Sequence, residues 1–170
     1  FAKLDPADYA AEWKWDGIRV QAVHERGVRR LYTRTGDDIS ATFPDILDAL
    51  DDEGSLDGEL LVIRDGKVAP FADLQQRLNR KTVTSAMLKS HPDHIRLYDM
   101  LLHGEEDLRP LPFVERRARL EAWHAKAKPP RTDVSAVLDF SSIEELEKLW
   151  AGARETGIEG LMLKRRDSPY

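Results

Sequence analysis

The chain has 170 residues, of which 41% are hydrophobic and 34% are charged, and its formal net charge is −5. This composition is typical of one soluble globular domain and excludes an intrinsically disordered chain. The sequence contains no cysteine, which excludes disulfides and thiolate metal sites and favours a cytoplasmic protein. Because no apolar run approaches the roughly 20 residues of a membrane-spanning helix, we expect no membrane partner.

Charged residues are segregated along the chain. Acidic residues concentrate in 45–59 and 144–147, and basic residues in 26–34, 77–81, 109–119, 126–131 and 164–166. The negative total argues weakly against nucleic acid as a partner, but electrostatic steering depends on where charge lies as well as on its sum. Solvated, salt-bridged faces explain any single cluster equally well.

The first half of the chain predicts strands followed by short helices. Residues 11–34 predict strands, with alternation through Trp13 and Trp15, a segment from Ile18, and a further strand over 28–33 after a turn at 25–27. Thr42 as an N-cap, with Pro44 in the first turn, predicts a short helix to about residue 50. The remaining segments of this half are a strand over 56–63 that turns at Asp65 and Gly66, and helices over 72–79 and 85–90.

The second half predicts a buried strand over 95–102 and a helix over 113–123. The periodic positions of that helix are Phe113, Arg117, Leu120 and Trp123. Residues 126–131 contain two prolines and read as an exposed loop, a capping box at Ser141 opens a helix that ends at Gly157, and 159–166 form a closing strand. Without a regular βαβ rhythm, the pattern favours an α+β fold with largely antiparallel sheet.

Lys14 stands in an unusual setting. Alternation in a strand places Trp13 and Trp15 on one side and Glu12, Lys14 and Asp16 on the other. A lysine fixed in this way can act as a nucleophile if nearby positive charge or desolvation lowers its pKa. The alternative is an edge strand whose polar face is simply solvated.

Two carboxylates are candidates for binding a hard cation. Glu59 and Glu159 each lie beside a glycine in a predicted strand, and Mg²⁺ commonly takes one or two carboxylates together with substrate phosphates. Strict alternation would put Lys164 on the opposite face from Glu159, so these two share a site only if the strand bulges. A turn or salt-bridge role is the alternative for each carboxylate.

Two further residues have side chains suited to a nucleotide. Arg34 adjoins a turn at Gly36 and suits bidentate contact with a phosphate. Tyr98 lies in a predicted strand, where its ring either stacks on a base or belongs to the core.

Five motifs in one order carry a family resemblance that spans nearly the whole chain. Together they resemble the nucleotidyltransferase domain of ATP-dependent DNA ligases, and the tryptophan-rich first motif favours the bacterial type. The motifs are KWDGIR (14–19), TRTGDD (33–38), DGELLV (57–62), LYDMLLHG with its downstream DLRPLPFVERRARLE (97–121), and EGLMLK (159–164).

The resemblance implies an ATP-grasp-like nucleotidyltransferase domain with antiparallel sheets flanked by helices. It treats residues 1–170 as one adenylation domain. It also places the family's last lysine-bearing motif and its oligonucleotide-binding-fold domain beyond Tyr170. We therefore expect this chain to be a monomeric part of a longer protein, able to bind ATP but poor in self-adenylation and weak in nick sealing on its own.

The resemblance also implies the reaction and its metal. Lys14 would attack the α-phosphate of ATP to form lysyl-AMP, and the AMP would pass to the 5′-phosphate of a nick in double-stranded DNA before sealing. Glu59 and Glu159 would bind Mg²⁺, and Glu59 with Arg19 would hold the ribose region. Asp16 would have either a structural or a metal-linked role.

The remaining implied contacts are to the nucleotide. Glu12 would hydrogen-bond the adenine and Tyr98 would stack on it. Arg34 and Lys164 would contact phosphates. Such cations suit phosphoryl-type transfer, which depends on positioning and charge neutralisation, and they would also lower the pKa of Lys14.

Other functions share parts of this pattern. An RNA ligase or a capping-type guanylyltransferase shares the first motif, while the segment over 107–121 favours a DNA ligase and argues against an NAD-dependent one. A non-catalytic nucleic-acid-binding module would have no need of Lys14. The basic clusters predict weak, salt-sensitive DNA binding by this chain alone.

Overall fold

The computed structural model describes residues 4–153 and 158–170, and the strands of these residues form two sheets. The smaller sheet has the order β10-β1-β9, formed by β1 (Tyr9–Trp15), β9 (Val137–Leu138) and β10 (Ile158–Arg165). The larger sheet has the order β3-β2-β4-β6-β7, formed by β2 (Ile18–Glu25), β3 (Val28–Thr33), β4 (Gly54–Arg64), β6 (Asp93–His103) and β7 (Glu106–Asp107). Two short strands flank it: β5 (Lys67–Val68) pairs with β4, and β8 (Thr132–Val134) runs parallel to β6.

Five α-helices and two 3-10 helices accompany the sheets in the described residues. The α-helices are α1 (Pro44–Asp48), α2 (Phe71–Leu78), α3 (Ser85–Ser90), α4 (Phe113–Ala127) and α5 (Ile143–Ala153), and the 3-10 helices are Pro6–Asp8 and Ser40–Thr42. No described helix has the length and apolar character that a membrane crossing requires. The predicted α+β class with largely antiparallel sheet is confirmed.

Two helix boundaries differ from the prediction. Thr42 is not the N-cap of α1, because it ends the preceding 3-10 helix and Phe43 takes the cap position without a side-chain hydrogen bond. The loop predicted from residue 126 begins only at Lys128, which ends α4 in a left-handed conformation with φ of 44°. Pro129 lacks an N–H and disfavours helical backbone in Lys128, so the helix ends at Ala127.

A cap before α5 forms as predicted, with Ser142 rather than Ser141 as the capping residue. The Ser142 hydroxyl accepts a hydrogen bond from the Glu145 backbone N–H at 3.2 Å, and the Glu145 carboxylate accepts one from the Ser141 N–H at 3.0 Å. The predicted end of this helix at Gly157 lies outside the described residues.

The core lies on the larger sheet, beneath α1, α2 and α4. Residues 55–62 of β4 are all buried, as expected for a central strand covered on both faces. The largest contributors from other elements are Leu31, Phe43, Ile46, Leu97 and Leu120.

Three register shifts interrupt the ladders of the described strands, and two of them fall at predicted site residues. Gly58 pairs with Leu97 and Asp57 with Asp99, so Tyr98 is the extra residue of β6. In the smaller sheet Lys14 pairs with Gly160 and Trp15 with Ile158, so Glu159 is the extra residue of β10. A bulge re-aims side chains locally and is frequent beside active sites.

Gly58→Ala is expected to lower the free energy of unfolding by about 1–3 kcal/mol, the usual cost of overpacking. A Cβ at this position would lie 2.6 Å from Ile95 Cγ2 and 2.7 Å from the Arg96 carbonyl oxygen, and backbone cannot yield cheaply. Urea denaturation followed by circular dichroism measures the change.

Gly152→Ala is the matched control, because a Cβ there meets nothing within 4 Å and alanine is the better helix former in α5. Its stability should equal or exceed that of the wild type. Equal stability of the Gly58→Ala variant and the wild type would contradict the close approach of β4 and β6.

Candidate active site

Lys14 stands at the end of β1, where the bulge in β10 begins. Its side chain is 57% exposed, and its Nζ lies 3.7 Å from a carboxylate oxygen of Glu159. This bulge meets the condition under which the sequence allowed Glu159 and Lys164 to share one site. The strand thus presents Lys14 to solvent beside an acidic side chain.

Glu12, on the same side of β1 as Lys14, is fully buried. Its Oε1 accepts a hydrogen bond from Arg117 Nη1 at 3.2 Å, and its Oε2 lies 2.7 Å from Lys164 Nζ. The simply solvated polar face that was the alternative for this strand is therefore wrong at Glu12. A buried carboxylate shared by two cations anchors the strand instead.

Tyr98, the bulged residue of β6, is completely buried beneath cations. The guanidinium carbon of Arg19 and the ammonium of Lys164 each lie 4.7 Å from the centroid of its ring. Its hydroxyl donates to Glu59 Oε2 at 3.3 Å. Burial and the nearby Glu59 carboxylate raise the pKa of Tyr98 well above its ordinary value, so the hydroxyl stays a donor.

Arg19 is held by a buried carboxylate of the neighbouring strand. Its Nε donates to Asp57 Oδ1 at 2.7 Å and its Nη2 donates to Asp57 Oδ2, a bidentate geometry. The cross-strand partner of Arg19 in the ladder is Glu59. Arg19 therefore faces the Tyr98 ring, with its orientation fixed by Asp57.

The favourable interactions around the Glu59 carboxylate do not fully offset the cost of burying its negative charge. Burial raises its pKa to about 7, although the charge of Arg19 and hydrogen bonds from Tyr98 and the Gly17 backbone act in the opposite direction. Gly17 brings the first motif against β4, since a Cβ at Gly17 would collide with the Leu60 carbonyl oxygen. A buried carboxylate whose anionic form is disfavoured in this way would gain from an added cation.

The described residues contain no group of three or more His, Asp or Glu side chains arranged to hold a metal by themselves. Magnesium does not require such a group, because it commonly takes one or two carboxylates and completes its shell with water and substrate phosphates. Glu59 and Glu159 carry carboxylate oxygens of the kind that this mode of binding uses, although no described contact joins the two side chains.

Arg34 lies at the edge of the site and is exposed. Its backbone N–H donates to the Arg19 carbonyl oxygen at 3.1 Å, and the turn after it places Gly36 at φ of +92°. The structure thus ties the second motif to the first through backbone, while the Arg34 side chain extends into solvent.

An open cleft of about 390 Å³ adjoins these side chains, a volume within the usual range for ligand pockets. Arg19 and Lys164 form part of its wall, together with Phe113, Arg116 and Tyr170. A larger open cleft of about 590 Å³ lies around Arg119 and Trp123, and none of the predicted site residues lines it.

Sequence reasoning did not assign a site role to two arginines, one beside Glu59 in the ladder and one in contact with Glu12. Arg96 lies across the ladder from Glu59, with its guanidinium carbon 4.4 Å from the Trp15 ring centroid and a bidentate pair to Asp133. Arg117 binds Glu12. The signal for Arg117 was a charged residue on the apolar stripe of a predicted helix, which marks a buried and therefore paired arginine.

The arrangement gathers most of the predicted residues. Lys14 pairs with Glu159. Tyr98 contacts Glu59 directly and Glu12 through Lys164, and Arg19 lies over its ring. A solvent-accessible amine beside the half-exposed Glu159 carboxylate, on the same strand as the cation-paired Glu12, is suited to attack on a phosphate, because such chemistry requires positioned charge.

Comparison with known proteins identifies DNA ligases as relatives of this chain. A "Probable DNA ligase" of Koribacter versatilis is 35% identical over 194 residues, covering 100% of this chain and 33% of that protein. A "DNA ligase" of Thermococcus fumicolans is 36% identical over 168 residues, covering 95% of this chain and 30% of that protein. The chain therefore spans about a third of the length of these curated relatives.

Solved structures show the same fold. The ligase domain of LigD from M. tuberculosis superposes with a TM-score of 0.75 at 29% identity, covering 99% of this chain and 52% of that one. A mycobacterial DNA ligase D complexed with ATP and MES gives a TM-score of 0.72 at 29% identity, covering 98% of this chain and 51% of that one. The fold is thus the α+β nucleotidyltransferase fold of ligase adenylation domains.

The family model described as "ATP dependent DNA ligase domain" matches residues 1–170. This match decides against the RNA ligase and capping alternatives at the level of family. The chain belongs to the ATP-dependent DNA ligase domain family.

Proposed function

We propose that this chain carries out the adenylation step of DNA ligation, with Lys14 as the nucleophile. The observation that carries the proposal is the placement of Lys14 at the bulge, exposed beside Glu159 and two residues from the buried Glu12 that contacts Lys164. Similarity to a mycobacterial DNA ligase D complexed with ATP supports the choice of nucleotide.

The proposed step is a displacement at the α-phosphorus of ATP. The unprotonated Lys14 amine forms a nitrogen–phosphorus bond, and pyrophosphate leaves with the electrons of the broken phosphorus–oxygen bond. The product, lysyl-AMP, retains an activated phosphate that is transferred to the 5′-phosphate of a DNA nick. The 3′-hydroxyl of the nick then displaces AMP and seals the strand.

Nucleotide binding requires two cations to move. Tyr98 is proposed to stack on adenine and Glu12 to hydrogen-bond it, but Arg19 and Lys164 cover the ring. Both are long side chains, and an incoming nucleotide offers them phosphate oxygens in exchange for the ring face. Arg19 would then serve the ribose region and Lys164 the phosphates, with Arg34 as a further phosphate contact.

Magnesium is the proposed metal, with Glu59 and Glu159 as its protein ligands. When bound, it would neutralise charge on the phosphate oxygens. This chain's own contribution is to hold Glu59 in place through Tyr98, while Glu159 lies beside Lys14.

Nicked double-stranded DNA is the proposed acceptor. The net charge of −5 means that the basic clusters supply local rather than overall attraction, so binding by this chain alone should be weak and should fall steeply with salt.

Lys14→Ala is expected to abolish covalent labelling by ATP, because Lys14 supplies the exposed amine that lies beside Glu159 at the bulge. Intact-mass spectrometry after incubation with ATP and Mg²⁺ measures the adduct, and the wild type should gain the mass of one AMP. The control is Lys67→Ala in the exposed β4–β5 hairpin, which should label as the wild type does. Labelling of both the wild type and Lys14→Ala would exclude Lys14 as the nucleophile.

Glu59→Gln is expected to change the pH dependence of stability measured without metal. The folded-state pKa of Glu59, about 7, exceeds its ordinary value of 4.5. Between these values the native carboxyl holds a proton that the unfolded chain has lost, so the wild type loses stability as the pH rises through this window. The loss attributable to Glu59 is on the order of 2–3 kcal/mol.

Glutamine mimics the protonated acid and does not ionise. The stability of the variant relative to the wild type should therefore rise between pH 5 and pH 8, a range that covers about two pH units of the Glu59 titration. Urea denaturation at both pH values provides the comparison. A parallel pH dependence of the two proteins would show that Glu59 is ionised already at pH 5.

A further inference from the structure

Arg117 joins α4 to the nucleotide-facing strand. It is buried on the helix, and its three donor nitrogens have three different partners. Nε donates to Glu121 Oε1 at 2.8 Å, Nη1 donates to Glu12 Oε1 at 3.2 Å, and Nη2 donates to the Ser135 carbonyl oxygen. Arg117 makes no direct contact with Lys14 or with the Tyr98 ring in the described contacts, so any effect on the reaction must pass through one of these three partners.

Two cations, Arg117 and Lys164, share the single negative charge of the Glu12 carboxylate. Lys164 Nζ lies 2.7 Å from Oε2, while Arg117 occupies Oε1. Glu12 has no exposed surface, and Lys164 retains only 18% exposure of its side chain. A carboxylate buried to this degree strongly resists losing its last counterion.

This charge balance bears on the movement of Lys164. On binding phosphate, Lys164 has to leave Glu12 and the two rings that surround its ammonium, those of Tyr98 and Phe113. With Arg117 in place, Glu12 keeps a counterion after Lys164 departs. Without Arg117, Lys164 would be the sole counterion of a buried carboxylate and would be held there.

We infer that Arg117 is a positioning residue that frees Lys164 for the nucleotide phosphates by remaining as the counterion of Glu12. The inference rests on the proposed function, because it concerns how readily that site takes ATP. It assigns to the helix a role beyond packing and predicts a specific dependence on the charge of residue 12.

A purely structural role makes a different prediction. If Arg117 mattered only through the Ser135 carbonyl and Glu121, then its removal would weaken the site equally whether residue 12 carried a charge or not. If it acts through Glu12, then replacing Glu12 by glutamine removes the need for it, because Lys164 no longer faces a buried carboxylate.

The test is a double-mutant cycle on ATP affinity, measured by calorimetry with EDTA so that metal-dependent transfer does not proceed. The variants are Arg117→Met, Glu12→Gln and the double substitution. Arg117→Met should weaken ATP binding by about tenfold or more when residue 12 is the native glutamate, and by less than about twofold when it is combined with Glu12→Gln. Arg119→Met, on the same helix but exposed and paired with Glu106, is the control and should bind as the wild type does.

Arg117→Lys keeps a cation beside Glu12 but loses the fork that reaches all three partners. It should hold ATP affinity within about threefold of the wild type, and it remains informative if Arg117→Met fails to fold, as judged by thermal melting. An equal loss of affinity with and without the Glu12→Gln substitution, or a loss in Arg117→Lys as large as in Arg117→Met, would overturn the inference alone. Failure of the wild type to bind ATP with or without Mg²⁺ would overturn the proposed function and the inference together.

Discussion

The buried carboxylate of Glu12 is the constraint around which the site is organised. An ionised group without solvent contact persists only with counterions, and here these come from a helix and from a strand of the smaller sheet. The same solution recurs in the larger sheet, where Arg19 holds Asp57 and Arg116 on α4 holds Asp99. These pairs fix the strands that carry the motifs and bring α4 against both sheets.

The bulges at Glu159 and Tyr98 redirect the side chains that form the site. In a regular ladder the side chains of β10 would alternate, and Glu159 would face away from Lys164. The extra residue at Glu159 brings it within ion-pair distance of Lys14, and the extra residue at Tyr98 places a ring beneath Arg19 and Lys164. These two bulges lie where the chemistry is proposed. The regular strands around them hold the redirected side chains in place.

Much of the fold followed from sequence because its signals are local. The helix over Ser85–Ser90, the capping box at Ser142 and the strand around Glu59 all depend on patterns within a few residues. Arg117, Arg96 and the bulges were not predicted, because each depends on a partner from a distant segment that alternation cannot reveal. The order and spacing of the motifs identified the family from sequence. The sharing of Glu12 between two cations is visible only in the folded structure.

The proposed nucleotide pocket is therefore one that its own cations fill in the absence of ATP. The most direct test is a crystal structure of the chain with ATP, read at the Tyr98 ring. We expect adenine stacked on the ring, with the Arg19 and Lys164 cations moved beyond the roughly 6 Å range of a cation–π contact and onto the phosphates and ribose. Bound ATP with both cations still 4.7 Å from the ring centroid would contradict this expectation.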